Sequence, residues 1–152
     1  MSLTDLDVAA FLELLAQQRR QYEHMREQAL SDAEFFRSMP QPHELAALLE
    51  RKRAAMEALA ALDAELAPLV SSWAARRQGA ATESPHPVDE ALKAVRESLK
   101  SLITAEDAAN KVAEETMLGA RRRLRALAST GQAARAYGAR APSQAHFVDE
   151  RP

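Results

Sequence analysis

The residue types that could carry chemistry in this chain are histidine and the carboxylates, because there is no cysteine. The histidines His24, His43, His86 and His146 are scattered, and no two stand four positions apart, the spacing that places a metal-binding pair on one helical turn. A ferritin-like di-iron site needs inward-facing Glu-x-x-His pairs from two helices, and the predicted helices carry none. The sequence also lacks a phosphate-binding glycine loop and a GxSxG motif. We therefore expect no catalytic residue, no metal and no cofactor.

The missing cysteines also exclude a disulfide framework and a thiolate nucleophile. Asp5 and Asp7 stand where a signal peptide would carry Lys or Arg, and no small-residue cleavage pattern follows. No apolar run approaches the roughly 20 residues that a membrane span requires. These features predict a cytoplasmic protein without membrane insertion.

The composition favours helices throughout. The 152 residues include only 4 Gly, and only 5% of them are aromatic. Ala, Leu, Glu, Arg and Gln are abundant, whereas the β-branched and aromatic residues that build sheets are scarce. We predict an all-α fold: an elongated antiparallel helical hairpin plus a long third helix, resembling a three-helix bundle or coiled coil, with a disordered C-terminal tail. The bundle is expected over residues 1–131 and the tail over 132–152.

Charge is distributed unevenly along the chain. From Gly119 to Pro152 there are seven arginines against two acidic residues, a net charge of +5. The other 13 basic and 20 acidic residues give the preceding part a net charge of −7. The simplest interpretation of the arginines at 121, 122, 123 and 125 is that cations near a helix C-terminus complement its dipole. A nucleic-acid surface would require interleaved aromatic residues and an excess of positive charge, and neither is present.

A heptad seam in residues 42–70 organises the predicted fold. With Leu45 at position a, Lys52, Leu59 and Leu66 also fall at a, and the d positions are apolar as well. Lys52 is the one polar interruption in four heptads, a spacing that keeps an apolar seam facing partner helices. Leu49 and Met56 add a second apolar edge. We therefore predict that this helix, over about 42–77, is the middle one of the three and contacts two neighbours.

The first helix is predicted over about 5–39. Its apolar stripe is interrupted at Gln18 and Asp32, and it runs through Val8, Phe11, Leu12, Leu15, Tyr22, Met25, Ala29, Ala33 and Phe36. It should end before Pro40, because the residue that precedes a proline avoids the α region. The short connection to the second helix requires an antiparallel hairpin.

The third helix is predicted over about 87–130, after a linker over 77–87 that contains Gly and Pro. His86 is its expected N-cap. Trp73, in the part of the second helix that follows Pro68, is expected to fill the core near one end of the bundle. The residues after Gly131 lack apolar periodicity, which predicts disorder.

Two surfaces remain as candidate partner-binding sites. The stretch 112–127 is amphipathic, and Val112, Met117, Leu124 and Leu127 lie on its apolar stripe. This stripe either packs on the first two helices or stays free for a partner. Tyr137 and Phe147 are isolated aromatic residues in the predicted tail. They either anchor a docked partner or have no functional role.

The segments LLERKRAAMEALAALDAEL and AARAYG…HFVDERP, together with three long helices in this order, resemble the FlgN-type flagellar export chaperones over residues 6–148. The resemblance implies a cytoplasmic type III secretion chaperone. Such a protein binds the disordered terminal segments of flagellar hook-associated proteins, the hook–filament junction proteins, and delivers them to the export gate. In that family clients bind the C-terminal helical region, which corresponds here to 112–127.

Two alternatives stay open from the sequence. The chain could be a structural coiled-coil protein that forms homo-oligomers through the same stripe. It could also be a sister chaperone for another secreted flagellar subunit.

Overall fold

The structure, a computed structural model, describes the backbone of residues 5–78 and 86–145 and the side chains of 7–78 and 86–136. It contains three helices: α1 (Asp5–Arg37), α2 (Pro42–Gln78) and α3 (Pro87–Ala145). No strand occurs among the described residues. The predicted all-α fold is therefore confirmed. The chain divides into two compact units, Met1–Val112 and Ala113–Pro152.

The heptad seam of α2 forms the centre of the first unit. Its buried side chains are Leu48, Leu59, Leu66 and Trp73, and Ala55 and Leu69 pack against the same core. These positions follow the predicted a and d spacing, which extends to Trp73. The core cluster draws side chains from all three helices. Burial of this seam together with the apolar side chains of α1 and α3 therefore stabilises the fold.

The predicted second edge of α2 does not pack. Leu49 and Met56 are 65% and 58% exposed, and Leu45 at the start of the seam is also exposed. A helix in a three-helix arrangement turns one stripe toward the common axis, and here the a and d positions from Leu48 onward supply that stripe. The e positions consequently face outward.

The interrupted stripe of α1 packs as predicted. Phe11, Leu15, Tyr22, Met25 and Ala29 are buried. The two polar interruptions are buried with them, and each has a partner on α2. Gln18 Nε2 donates a 2.7 Å hydrogen bond to Asp63 Oδ1, and Asp32 Oδ1 accepts one of 2.6 Å from Arg51. Each of these polar side chains stays inside because it has a hydrogen-bonding partner on α2 there.

These same contacts establish the direction of the hairpin. An early position of α1 meets a late position of α2, and a late position of α1 meets an early one of α2, so the two helices are antiparallel. At the turn, Met39 adopts a left-handed conformation with φ of 57°. The helix α1 ends at Arg37, before Pro40 as predicted but two residues earlier than the predicted end at 39. The predicted antiparallel hairpin is thus confirmed.

The contacts of α3 with α2 also run antiparallel. Lys52 Nζ lies 2.8 Å from Glu106 Oε2, and Trp73 Nε1 donates a 3.0 Å hydrogen bond to Asp89 Oδ1. The order of the first unit is therefore up, down and up, and α3 runs parallel to α1.

One polar cluster joins all three helices. The Asp32 carboxylate is buried and accepts from Arg51, while Lys52 Nζ lies 3.4 Å from its other oxygen. Lys52 bridges onward to Glu106. A charged residue at an otherwise apolar seam position favours the one register in which its partners are reached. Lys52 is thus the cross-link that aligns α1, α2 and α3.

The helix ends differ in part from the predicted ones. The helix α2 continues through Pro68 to Gln78. Proline removes the N–H that would bond the carbonyl of residue 64, and the exposure of Pro68 leaves this position open to solvent. His86 caps α3 as predicted, because Val88 N–H donates a 3.1 Å bond to His86 Nδ1. The predicted linker lies largely outside the described residues.

The C-terminal boundary of α3 requires a correction. The helix does not end near Thr130 but continues to Ala145 and is 59 residues long. The segment after Gly131 is rich in alanine, the strongest helix former, and this local propensity acts without any apolar periodicity. The last part of the predicted tail, 146–152, lies outside the described residues.

Leu59→Asp should unfold the first unit. Leu59 is 7% exposed at the centre of the seam, and burying an unpaired carboxylate costs several kcal/mol, comparable with the stability of a small domain. The matched control is Met56→Asp, which places the same charge on the exposed edge of the same helix and should retain wild-type helicity. Circular dichroism and thermal melting of the two variants check this. Equal behaviour of both would contradict the central position of the seam.

The link between Asp32 and Lys52 can be measured separately by a double-mutant cycle. Asp32→Asn and Lys52→Met each remove one partner, and the double variant removes both. We expect a coupling energy of about 1–2 kcal/mol from urea denaturation, because Asp32 is buried whereas Lys52 is partly open to solvent. Additive effects of the two substitutions would show that the cross-link does not stabilise the fold.

Candidate partner-binding site

The structure places the predicted site residues in three different settings. Val112 is half-buried and belongs to the first unit. Met117, Leu124 and Leu127 belong to the second unit and are 51%, 66% and 66% exposed. Tyr137 lies within α3, but its side chain is outside the described part, and Phe147 is outside altogether. The structure therefore brings three of the six predicted residues together on one exposed surface, hereafter the exposed stripe: Met117, Leu124 and Leu127.

The exposed stripe has the spacing of a helix-pairing seam. If Met117 occupies position a of a heptad, Leu124 falls at the next a and Leu127 at the next d. Ala120, at the intervening d, is half-buried. Nearly three turns of such spacing present a continuous apolar band to a partner helix. The side chains of this band are mostly open to solvent.

Arginines border the exposed stripe on both sides. In the same register Arg121 is at e and Arg123 at g, the positions that flank an a/d seam and pair with charges on a partner. Both side chains are exposed. The sequence predicts that these cations lie near the end of a helix, but α3 continues well past them. Their place beside the apolar band therefore suits an acidic partner better than a helix dipole.

A second apolar surface lies within the first unit and was not predicted. It is a groove of about 500 Å³ to which all three helices contribute, lined by Tyr22, Met25, Lys52, Met56, Leu59, Ala60, Asp63, Leu99, Leu102, Ile103, Glu106 and Asp107. Its outermost apolar side chains, Met56 and Ile103, are 58% and 51% exposed. The sequence does contain a signal for this groove, the second apolar edge of α2. The apolar pattern alone predicts that this edge contacts a neighbouring helix of the same chain.

Carboxylates dominate the charge of the groove. Asp63 on α2 and Glu106 and Asp107 on α3 line it, against the single ammonium of Lys52, which is already shared between Asp32 and Glu106. Burial and, secondarily, the charge of Asp63 raise the pKa of the Tyr22 phenol, so this ring stays neutral. The groove thus combines an apolar floor with acidic margins.

Trp73 marks a second polar cluster, at the end of the first unit opposite Lys52. Its ring lies 4.6 Å from that of His86, and its Nε1 donates to Asp89, which also pairs with Arg77. The hydrogen bond from Trp73, with the Arg77 charge, holds the pKa of the Asp89 carboxyl below its usual range, against the opposing effect of burial. These contacts join α2 to the start of α3.

The described part of the chain contains neither a cluster of metal-ligating side chains nor a helix that could span a membrane. No three histidine or carboxylate side chains gather there as a metal site would require. None of its helices is long and apolar enough to cross a membrane. The exposed stripe and the groove are the two features that fit binding of a partner.

No protein-family model matches the chain, and no curated protein or solved structure is significantly similar to it. A function is therefore inferred from the geometry of the exposed stripe and the groove.

The Asp89 cluster predicts a specific dependence of stability on pH. Because the folded pKa is depressed, the contribution of Asp89 is complete above the ordinary carboxyl pKa of about 3.9 and is lost as the pH falls through the lower folded value. Asp89→Asn should cost about 1 kcal/mol at pH 6 and lose less stability than wild type between pH 6 and pH 3. Urea unfolding followed by the fluorescence of the single tryptophan measures this. Glu90→Gln, an exposed neighbour, is the control and should titrate like wild type.

Proposed function

We propose that this protein is an export chaperone that binds the terminal segment of a secreted client through the exposed stripe of α3. The supporting observation is the apolar band of Met117, Leu124 and Leu127, which has helix-pairing spacing and is half or more open to solvent. Monomeric proteins normally bury such a contiguous apolar band or use it in an interface. We therefore infer that the band binds another helix.

The client class follows from what the band can recognise. A segment that must stay unfolded for export carries apolar residues that pair once it becomes helical. A chaperone helix with a free apolar seam covers that segment by helix pairing, with anchors at i, i+3, i+4 and i+7. Ordering the segment costs conformational entropy, so the affinity is moderate, and release needs no ATP.

The resemblance to the FlgN-type chaperones identifies the clients we propose. They are the hook-associated proteins of the hook–filament junction, bound in the cytoplasm before type III secretion and delivered to the export gate. The candidate anchors Tyr137 and Phe147 follow the exposed stripe in sequence and are proposed as further contacts with the client or the gate. A sister chaperone role for another flagellar subunit would use the same stripe.

The flanking arginines add selectivity to this proposal. Arg121 and Arg123 would pair with acidic residues beside the apolar seam of the client. Opposite charges at such positions choose the partner and its orientation more than they add affinity. Among terminal segments of equal apolar content, those with acidic flanks should bind fastest, and the advantage should shrink as salt screens the charges.

Replacing Met117, Leu124 and Leu127 together by Ser should abolish client capture without unfolding the protein. Three anchor side chains are lost from the interface, so we expect the Kd for a hook-associated terminal segment to rise by at least about a hundredfold. Thermal stability should change by less than about 1 kcal/mol, because exposed residues outside a core contribute little to it. Isothermal titration and thermal melting are measured on the same variant.

Leu118→Ser and Leu124→Ser form the matched control pair. Both leucines are exposed on the same helix, 51% and 66%, but Leu118 lies at position b, outside the seam. Leu124→Ser should weaken binding, and Leu118→Ser should leave it within about twofold. A large loss of stability in the triple variant would show instead that the stripe packs within the fold. Unchanged binding would remove the stripe from the proposed function.

A further inference from the structure

The groove of the first unit and the exposed stripe of the second are complementary surfaces. The groove has an apolar floor with Met56 and Ile103 at its outer edge, and acidic residues at its margins. The stripe has an apolar band with Arg121 and Arg123 at its margins. We propose that the exposed stripe of one copy of the chain docks in the groove of a second copy, forming a reciprocal dimer.

The two surfaces agree in length. The α3 wall of the groove runs from Leu99 to Asp107, about 12 Å at 1.5 Å per residue. The stripe runs from Met117 to Leu127, about 15 Å on the same scale. The stripe, nearly three helical turns long, therefore covers the groove from end to end. A helix seated in this way packs beside Met56 of α2 and completes a four-helix arrangement.

The charges agree in sign and in placement. Asp63 stands on the α2 side of the groove and Asp107 on the α3 side, both exposed. A helix seated between them presents its e and g positions to the two sides, and in the stripe these are Arg121 and Arg123. The uneven charge of the sequence, acidic before Gly119 and basic after it, has a physical use in this contact. It attracts unlike ends of two copies.

The occupant is a second copy because the groove wall and the stripe belong to one continuous helix. Docking within one chain would require α3 to break between Asp107 and Met117. Docking between two chains leaves both helices intact, and each copy gives one stripe and one groove. A closed dimer with identical contacts on both sides is the commonest form of self-association.

The dimer covers the exposed stripe whenever no client is present. This consequence, unlike the dimer itself, rests on the proposed function. Client and second copy then compete for one surface, so a client segment should convert dimer to monomer. The self-association keeps an apolar band out of solvent between rounds of binding.

The test is sedimentation velocity on the full chain over a wide concentration range, without client. Wild type should show a reversible monomer–dimer equilibrium. Asp107→Lys in the groove or Arg121→Glu/Arg123→Glu in the stripe should each raise the dimer Kd about tenfold, because a reciprocal contact counts every rim pair twice. Asp107→Lys is then combined with the reversal of the one arginine that faces it, found by testing Arg121→Glu and Arg123→Glu separately. This combined variant should restore the wild-type Kd to within about threefold, because the other arginine still pairs with Asp63. Asp107 is changed rather than Asp63 because Asp63 also accepts a hydrogen bond from Gln18 within the fold.

The outcomes separate the alternatives. A monomeric wild type, a dimer indifferent to these charges, or failure of the combined variant to recover would each overturn the proposal. Disulfide cross-linking of Ile103→Cys/Leu124→Cys, in a chain otherwise free of cysteine, provides a second measurement. It should trap a covalent dimer, and cross-linking only within a monomer would show docking inside one chain. A wild-type dimer that shows this charge dependence but binds no client segment would contradict the proposed function alone.

Discussion

Burial of a single heptad seam is the constraint on which the structure depends. The seam of α2 from Leu48 to Trp73 alternates apolar positions that all face the common axis with α1 and α3. Because aromatic residues are few, the core is filled mainly by leucine, valine and alanine, which allow close helix packing. Apolar burial alone would tolerate sliding of one helix along another, since many registers bury leucine equally well. The charged positions remove that freedom.

Polar contacts between helices therefore determine alignment. Asp32, Lys52 and Glu106 connect three helices at one end, and Trp73 and Asp89 connect two at the other. A shift of one turn in any helix would leave the buried Asp32 carboxylate without its cations, a cost of several kcal/mol. The first unit is thus held in one register by contacts that contribute modestly to stability.

Sequence patterns predicted what depends on periodicity. The stripe of α1, including the buried interruptions Gln18 and Asp32, and the seam of α2 follow from spacing alone. Spacing could not reveal which apolar edge would remain exposed, because Leu49, Met56 and Ile103 are residues of the same apolar types as those in the core. The outward face becomes evident only once three helices are assembled. The continuation of α3 to Ala145 was missed for the opposite reason: alanine propensity maintains a helix that has no apolar stripe.

The fold and the function we propose depend on different sets of apolar side chains. In the first unit apolar side chains find partners within the chain, whereas in the second unit Met117, Leu124 and Leu127 remain half or more exposed. Arginines beside this stripe and carboxylates beside the groove give each surface a charge preference. We propose that these surfaces select partners by helix spacing and by charge.

The most direct measurement of the central claim is amide hydrogen exchange of the full chain with and without a hook-associated terminal segment. It should be made at a concentration where the chain is monomeric. If the segment binds the exposed stripe, exchange should slow in residues 113–130 of α3 when the segment is added. Exchange along α1 and the seam of α2 should stay unchanged. Protection confined to α1 and α2, or no protection anywhere at saturating segment, would contradict the central claim.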